Sequence, residues 1–83
     1  MSQQFPPPQF KTRLALLIFI KGAAAPMVLY FDDAKIEYAE FMAAMQLPVA
    51  KIIEKEPTGP IKKVAIMSNQ ISAVALQEEL YQQ

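Results

Sequence analysis

The sequence predicts a small α+β domain, a small antiparallel sheet with one helix packed on it, in the element order β-β-α-β-β-β. Three observations support this prediction. Two apolar runs near the start of the chain are separated by turn-forming residues, a central segment carries apolar residues at helical spacing, and three segments rich in Ile and Val follow. Eighty-three residues make one domain of modest stability.

The first two strands are predicted at Leu14–Ile20 and Met27–Phe31. The first of these is seven apolar residues in a row. Because successive side chains of a strand point to opposite faces, both of its faces are apolar, as in a central or interface strand. Lys21-Gly22 and Ala25-Pro26 break the apolar pattern between the two runs and predict a connecting loop.

Two other interpretations of this opening stretch are disfavoured. A membrane-spanning helix needs about 20 apolar residues, whereas Lys21 interrupts the run after seven. A secretion signal would place its cleavage site at Ala23–Ala25, but Lys21 and the following Pro26 do not fit that pattern. We therefore expect no membrane span and a cytoplasmic location.

A helix is predicted from Ala34 to Gln46. Asp32 and Asp33 precede it and are suited to cap its free N–H groups. Pro48 follows it and would end it. Four residues at positions i, i+3, i+4 and i+7 form one apolar stripe: Tyr38, Phe41, Met42 and Met45.

The C-terminal half is predicted to hold three more strands. Residues 51–56 read as an exposed or edge strand, "EPTGP" as a turn, and residues 61–67 as the next strand. Residues 70–77 fit either a strand or a helix capped by Ser68, and the strand is favoured. Whether 70–82 is strand or helix stays open at this point.

Three regions are expected along the chain. Residues 1–10 form a disordered Pro-rich arm, residues 11–78 a single α+β domain, and residues 79–83 a polar tail. Three consecutive prolines favour polyproline II and cannot join a sheet. The arm could be a loose terminus, a docking peptide for an aromatic groove, or a segment whose Phe5 and Phe10 pack back onto the domain.

Four segments resemble a family of small uncharacterised cyanobacterial proteins: "LALLIFIKG", "PMVLYF", "EYAEFMAAM" and "KKVAIMSNQISAVAL". Members of that family have an apolar strand ending in lysine, a proline-led second strand, an acidic helix with tyrosine, and a closing "K-x-V-A-V-L-x-x-E-I-x-A-V". The resemblance covers about residues 14–77. Gln70 stands where the family has glutamate, and the Pro-rich arm is additional. The resemblance implies a small cytosolic or thylakoid-peripheral protein and a closing strand, but no chemistry.

The composition argues against an enzyme. The chain has no cysteine and no histidine, which removes thiol chemistry and the usual general base near neutral pH. With Gly22 and Gly59 as the only glycines, no phosphate-binding loop is possible. Asp32, Asp33 and Glu37 could bind Mg²⁺ or Ca²⁺, but a helix cap explains them more simply. We predict no catalytic, cofactor or metal residues, no cofactor and no small-molecule substrate.

The surplus of apolar residues predicts an interaction protein. Fifty-three per cent of the residues are hydrophobic and the formal net charge is zero, so a domain without disulfides or metals needs a dense core or a partner. We expect a protein partner or a homo-oligomer. The predicted contact residues lie in the first strand: Leu14, Leu16, Ile18, Phe19 and Ile20.

The alternative function is contact with RNA or another anion. It would use the predicted lysine-bearing hairpin, on which four residues are possible anion contacts: Lys51, Lys55, Lys62 and Lys63. Glutamates between them dilute the positive charge, and zero net charge argues against a dedicated nucleic-acid binder.

Overall fold

A computed structural model describes residues 10–82 of the chain. Its elements are β1 (Phe10–Ile20), β2 (Met27–Leu29), α1 (Ala34–Met45), β3 (Ile52–Lys55), β4 (Val64–Met67) and β5 (Ile71–Gln82), with a 3-10 turn at Ser68–Gln70 before β5. The predicted class and element order are confirmed. The strands divide into two antiparallel sheets, a three-stranded sheet in the order β2-β1-β5 and the two-stranded pair β3-β4. Within these residues, no helix has the length and apolar character needed to cross a bilayer.

Strand β1 is the centre of the larger sheet. It pairs with β2 through Leu16, Leu17 and Ile18 and with β5 along its whole length. It is longer than the predicted strand, because Phe10–Arg13 also find partners on β5. Its apolar residues are divided between the two faces of the sheet, with Leu16 and Ile18 in the core and Leu17 and Phe19 on the opposite face.

The core lies between one face of this sheet, helix α1 and the β3-β4 pair. Leu16, Ile18 and Leu29 of the sheet and Phe41 of the helix are wholly buried. The remaining buried members of the cluster are Ala44, Ile53, Ile66 and Ile71. The residues that meet here come from every element of the domain, so the core joins the two sheets.

Helix α1 begins as predicted, with the Ile36 N–H donating to the Asp33 carboxylate at 3.3 Å. Its buried side chains are Ala34, Phe41 and Ala44, with Tyr38 and Met45 partly buried against the core. Tyr38, Phe41 and Met45 of the predicted stripe therefore contact the core, whereas Met42 is exposed. Small alanines allow the helix to approach the sheet closely on this side.

The β3-β4 connection is not the predicted tight turn. Strand β4 begins at Val64, so residues 56–63 form a loop. The Thr58 N–H donates to the Tyr30 carbonyl oxygen at 2.7 Å, and the Thr58 hydroxyl donates to the same atom at 3.2 Å. Gly59 follows with φ +85°, a conformation that favours glycine. The loop is long because it reaches across to the end of β2.

The closing segment is a strand, and it extends further than predicted. Strand β5 runs to Gln82, so residues 79–82 belong to the sheet and not to a polar tail. The reason is pairing with the start of β1, where Arg13 lies opposite Glu79 and Lys11 opposite Tyr81. Phe10 is likewise the first residue of β1 and not part of an arm. The predicted arm otherwise lies outside the described residues.

Candidate interaction surface

The candidate interaction surface has three parts. The first part is a two-stranded ribbon formed by residues 10–14 of β1 and 78–82 of β5. Strand β2 pairs only with residues 16–18, so among the described residues the ribbon has no third strand. Phe10 is 58% exposed and Leu80 72% exposed, although both are large and apolar. The register places Leu80 opposite Thr12, two residues from Phe10 on the same face. The ribbon therefore presents apolar side chains to water.

The second part is the outer face of the three-stranded sheet, the face opposite the core. Its apolar side chains are Ala15, Leu17 and Phe19 of β1, Val28 of β2, and Ala73 and Ala75 of β5, of which Ala15 is wholly buried. Within residues 10–82, the helix and the β3-β4 pair contribute to the core on the other side. Leu17, Phe19 and Val28 are half-buried by their neighbours in the sheet, and Ala73 is exposed.

A polar cluster borders this outer face. The Arg13 guanidinium lies 3.2 Å from the Glu79 carboxylate, 4.1 Å from the centre of the Tyr30 ring and 5.2 Å from that of Tyr81. The Tyr30 hydroxyl donates to the same Glu79 carboxylate at 2.9 Å. This hydrogen bond, assisted by slight desolvation, raises the pKa of Tyr30 above its ordinary value. The cluster ties the ribbon to β2 by stacking and charge.

The third part is the outer edge of β5. This strand pairs with β1 on one side, and no strand within residues 10–82 pairs with its other side. It is twelve residues long, and its sequence "ISAVALQEELYQ" contains neither lysine nor proline. Natural edge strands are commonly short or carry such residues to prevent pairing with other chains. An edge of this length is open to another strand.

The predicted contact residues of β1 are separated by the structure. Leu16 and Ile18 are wholly buried in the core, while Leu14 and Ile20 are half-buried on the same side of the sheet. Phe19 alone of the five faces the outer side. Leu17 lies beside it there and was not singled out, although the two-residue alternation of the run groups it with Phe19.

The four lysines do not form one basic surface. Lys55 is half-buried, with its ammonium 2.9 Å from the Glu37 carboxylate and also in contact with Glu40. Burial lowers the pKa of Lys55, but hydrogen bonds to Glu40 and Glu37 outweigh it, so the pKa is raised overall. Hydrogen bonding to Lys55 holds the pKa of Glu40 below its usual value. Lys55 is thus already paired with carboxylates.

The other three lysines lie outside the strands. Lys51 precedes β3 and lines the same groove beside α1 as Lys55 and Glu40. Lys62 and Lys63 are exposed in the 56–63 loop, and Lys63 lines a hollow with Glu54 and Glu56. The structure therefore distributes the positive charge and places carboxylates beside part of it.

The acidic residues at the start of α1 are also engaged elsewhere. Asp33 caps the helix, and Glu37 contacts Lys55. Within residues 10–82 no group of three potential metal ligands of the His, Cys, Asp or Glu type comes together.

Comparison with known proteins gives no identification. No protein-family model matches the chain, and no curated protein and no solved structure matches it. The resemblance to small cyanobacterial proteins remains an expectation.

Proposed function

We propose that the chain is a non-enzymatic assembly protein that self-associates or is completed by a protein partner. The observation that carries the proposal is the β1-β5 ribbon together with the outer edge of β5, which has no strand partner within residues 10–82. A two-stranded hairpin is only marginally stable in water without a third strand or a covering element. A partner that covers the ribbon would supply what residues 10–82 lack.

The exposed side chains support the same proposal. Burying one large apolar side chain such as Phe10 or Leu80 contributes about 1.5–3 kcal/mol. Both are on the ribbon, and the apolar outer face begins where β2 joins it. Phe10 and Leu80 point to the side of the sheet opposite its outer face, and both sides border the edge of β5, so a partner at that edge could cover part of either side.

Sedimentation equilibrium or light scattering on the full chain at micromolar concentration tests self-association. We expect a species larger than the 9.3 kDa monomer. A purely monomeric chain would count against self-association, and a heterologous partner would then have to be sought. Pull-down from the native organism addresses that second form of the proposal.

A second candidate is contact with an anion or RNA through the 56–63 loop. It is favoured by the adjacent exposed side chains of Lys62 and Lys63. Such binding would weaken steeply with salt and would be lost when both lysines are changed to glutamate. Lys35→Glu on the exposed surface of α1 is a matched control of equal charge change per residue. If the affinity for the anion is unchanged by salt or by the loop variant, this candidate function is contradicted.

A further inference from the structure

We propose that two copies of this chain join through the outer edge of β5, with each β5 antiparallel to the other about a two-fold axis. The two three-stranded sheets would then form one six-stranded sheet in the order β2-β1-β5-β5-β1-β2. This inference rests on the proposed self-association and specifies its partner as a second copy and its contact as one strand edge.

The two edge strands of the three-stranded sheet, β2 and β5, differ, and β5 is the better suited to pair with a second copy. At the other edge, β2 has only three residues, Pro26 precedes it, and Thr58 is bonded to the backbone of Tyr30 beside it. Shortness, proline and a covering loop are devices that prevent edge pairing. Strand β5 is four times as long and carries no lysine or proline. Of the strands within residues 10–82, β5 has the longest edge without a strand partner.

The geometry of a sheet restricts how β5 can pair with itself. Residues opposite each other on neighbouring strands must point to the same face of the sheet. The two-fold axis must therefore lie between the two copies of one residue, so that this residue is opposite itself. A register irregularity separates the pairs Phe19–Ala73 and Ile20–Ile71, and the regular part of β5 therefore begins at Ala73. It ends at Gln82, so its midpoint lies between Gln77 and Glu78, and an axis at a residue position near the middle falls at one of these two.

A register centred on Gln77 also matches the side chains. It places Leu80 opposite Val74 on the core side of the sheet and Tyr81 opposite Ala73 on the outer side. These pairings give apolar neighbours to Leu80, which is 72% exposed, and to Tyr81. Apolar pairs across neighbouring strands stabilise a sheet, and the two-fold axis repeats each pair.

Charge excludes the neighbouring registers centred on Glu78 and Glu79. Centring on Gln77 places Glu78 opposite Leu76 and Glu79 opposite Ala75, so no carboxylate faces another. Moving the axis to Glu78 or Glu79 would place that glutamate against its own copy, and like charges directly opposite are destabilising. Glu79 is already compensated by Arg13 of its own chain. The edge is therefore self-complementary in this register.

Cysteine cross-linking tests the two-fold position directly, because the chain has no cysteine of its own. In either kind of antiparallel pair, the opposed Cα atoms lie about 4.5–5.5 Å apart, within disulfide range. We expect Gln77→Cys to form a disulfide-linked dimer nearly completely on mild oxidation. The control Glu54→Cys, on the exposed side of β3, should remain largely monomeric under the same conditions.

Charge variants at Gln77 provide a second test that does not depend on oxidation. Gln77→Lys and Gln77→Glu each put like charges opposite each other and should weaken self-association by about two- to five-fold. Mixing the two variants should restore it, because lysine then faces glutamate. Restoration by mixing excludes a simple folding defect in either variant.

The outcomes separate this inference from the proposal on which it rests. A chain that is only monomeric overturns the β5 contact and self-association, and leaves the heterologous partner as the remaining form of the proposed function. A dimer that cross-links at position 77 and is rescued by mixing supports the β5 contact. A dimer indifferent to position 77 but disrupted by Leu17→Lys would show that the outer faces pack together, which overturns the β5 contact while leaving self-association intact.

Discussion

The Tyr30 hydroxyl donates a 2.9 Å hydrogen bond to the Glu79 carboxylate, joining residues that lie 49 positions apart. Strand β1 lies between their two strands, and its Arg13 contacts both side chains. The side chains of Tyr30, Arg13 and Glu79 therefore hold the end of β2 against the ribbon, across the central strand. This relationship makes the stability of the fold sensitive to the ionisation of one tyrosine.

Alkaline pH should weaken the fold through Tyr30. Its pKa is raised above 10.0, chiefly by the hydrogen bond to Glu79, so the native state favours the protonated phenol. The stabilisation is complete below pH 10.0 and is lost as the pH rises through the raised pKa. Urea unfolding at increasing alkaline pH should show this loss, and Tyr30→Phe should reduce the pH dependence. An unchanged dependence in Tyr30→Phe would assign it to other groups.

Adjacent isoleucines of β3 should differ sharply when shortened. Ile53 is buried in the core, whereas Ile52 is 61% exposed on the opposite side of the strand. Ile53→Ala should lower the free energy of unfolding by about 2–5 kcal/mol because it leaves a cavity. Ile52→Ala should change it by at most about 0.5 kcal/mol. Chemical denaturation of both variants checks the assignment of faces, and equal losses would contradict it.

The two glycines allow backbone strain to be separated from a steric clash. Gly22 has φ +80° with open space around it, while a Cβ at Gly59 would lie 3.0 Å from the Tyr30 ring. Gly22→Ala should cost about 1–2 kcal/mol through strain alone. Gly59→Ala should cost more, because the loop must also move away from Tyr30. Thermal unfolding of the two variants gives the comparison, and a smaller cost at Gly59 would argue against the docked loop.

Acid should weaken the contact between α1 and β3. The pKa of Glu40 is lowered from 4.5, mainly by its hydrogen bond with Lys55. Its contribution to stability is present above pH 4.5 and is lost as the pH falls through the lowered pKa. Lys55→Met should therefore flatten the acid side of the stability profile. Lys62→Met in the loop is the control that should retain the original profile.

Much of the fold follows from local patterns in the sequence. The helix boundaries follow from the Asp33 cap and the apolar spacing, and the order of strands follows from the alternating segments. Tyr38, Phe41 and Met45 contact the core as expected, but Met42 does not, because the small residues Ala34 and Ala44 complete the core side of the helix. Hydropathy alone does not distinguish these alanines from the exposed Ala39 and Ala43. Which side of the helix faces the sheet is decided by tertiary packing against Phe41 and Ala44.

The candidate surface was less predictable for a physical reason. Residues 79–82 are polar enough to suggest a tail, and they become strand because β1 supplies partners some 66 positions earlier, such as Arg13 for Glu79. Likewise, the lysines of the predicted hairpin have local sequence neighbours that suggest a basic surface. The carboxylates that approach Lys55 come from α1, fifteen or more positions away. The spacing of residues along the sequence does not predict contacts between such distant positions.

The unequal edges of the three-stranded sheet limit how far assembly can proceed. A sheet with two open edges would allow further copies to add at each edge without limit, as in a fibril. Within residues 10–82, β2 has only three residues and the 56–63 loop is hydrogen-bonded at its end, so a dimer joined through β5 closes upon itself. Assembly through β5 would therefore end at the dimer.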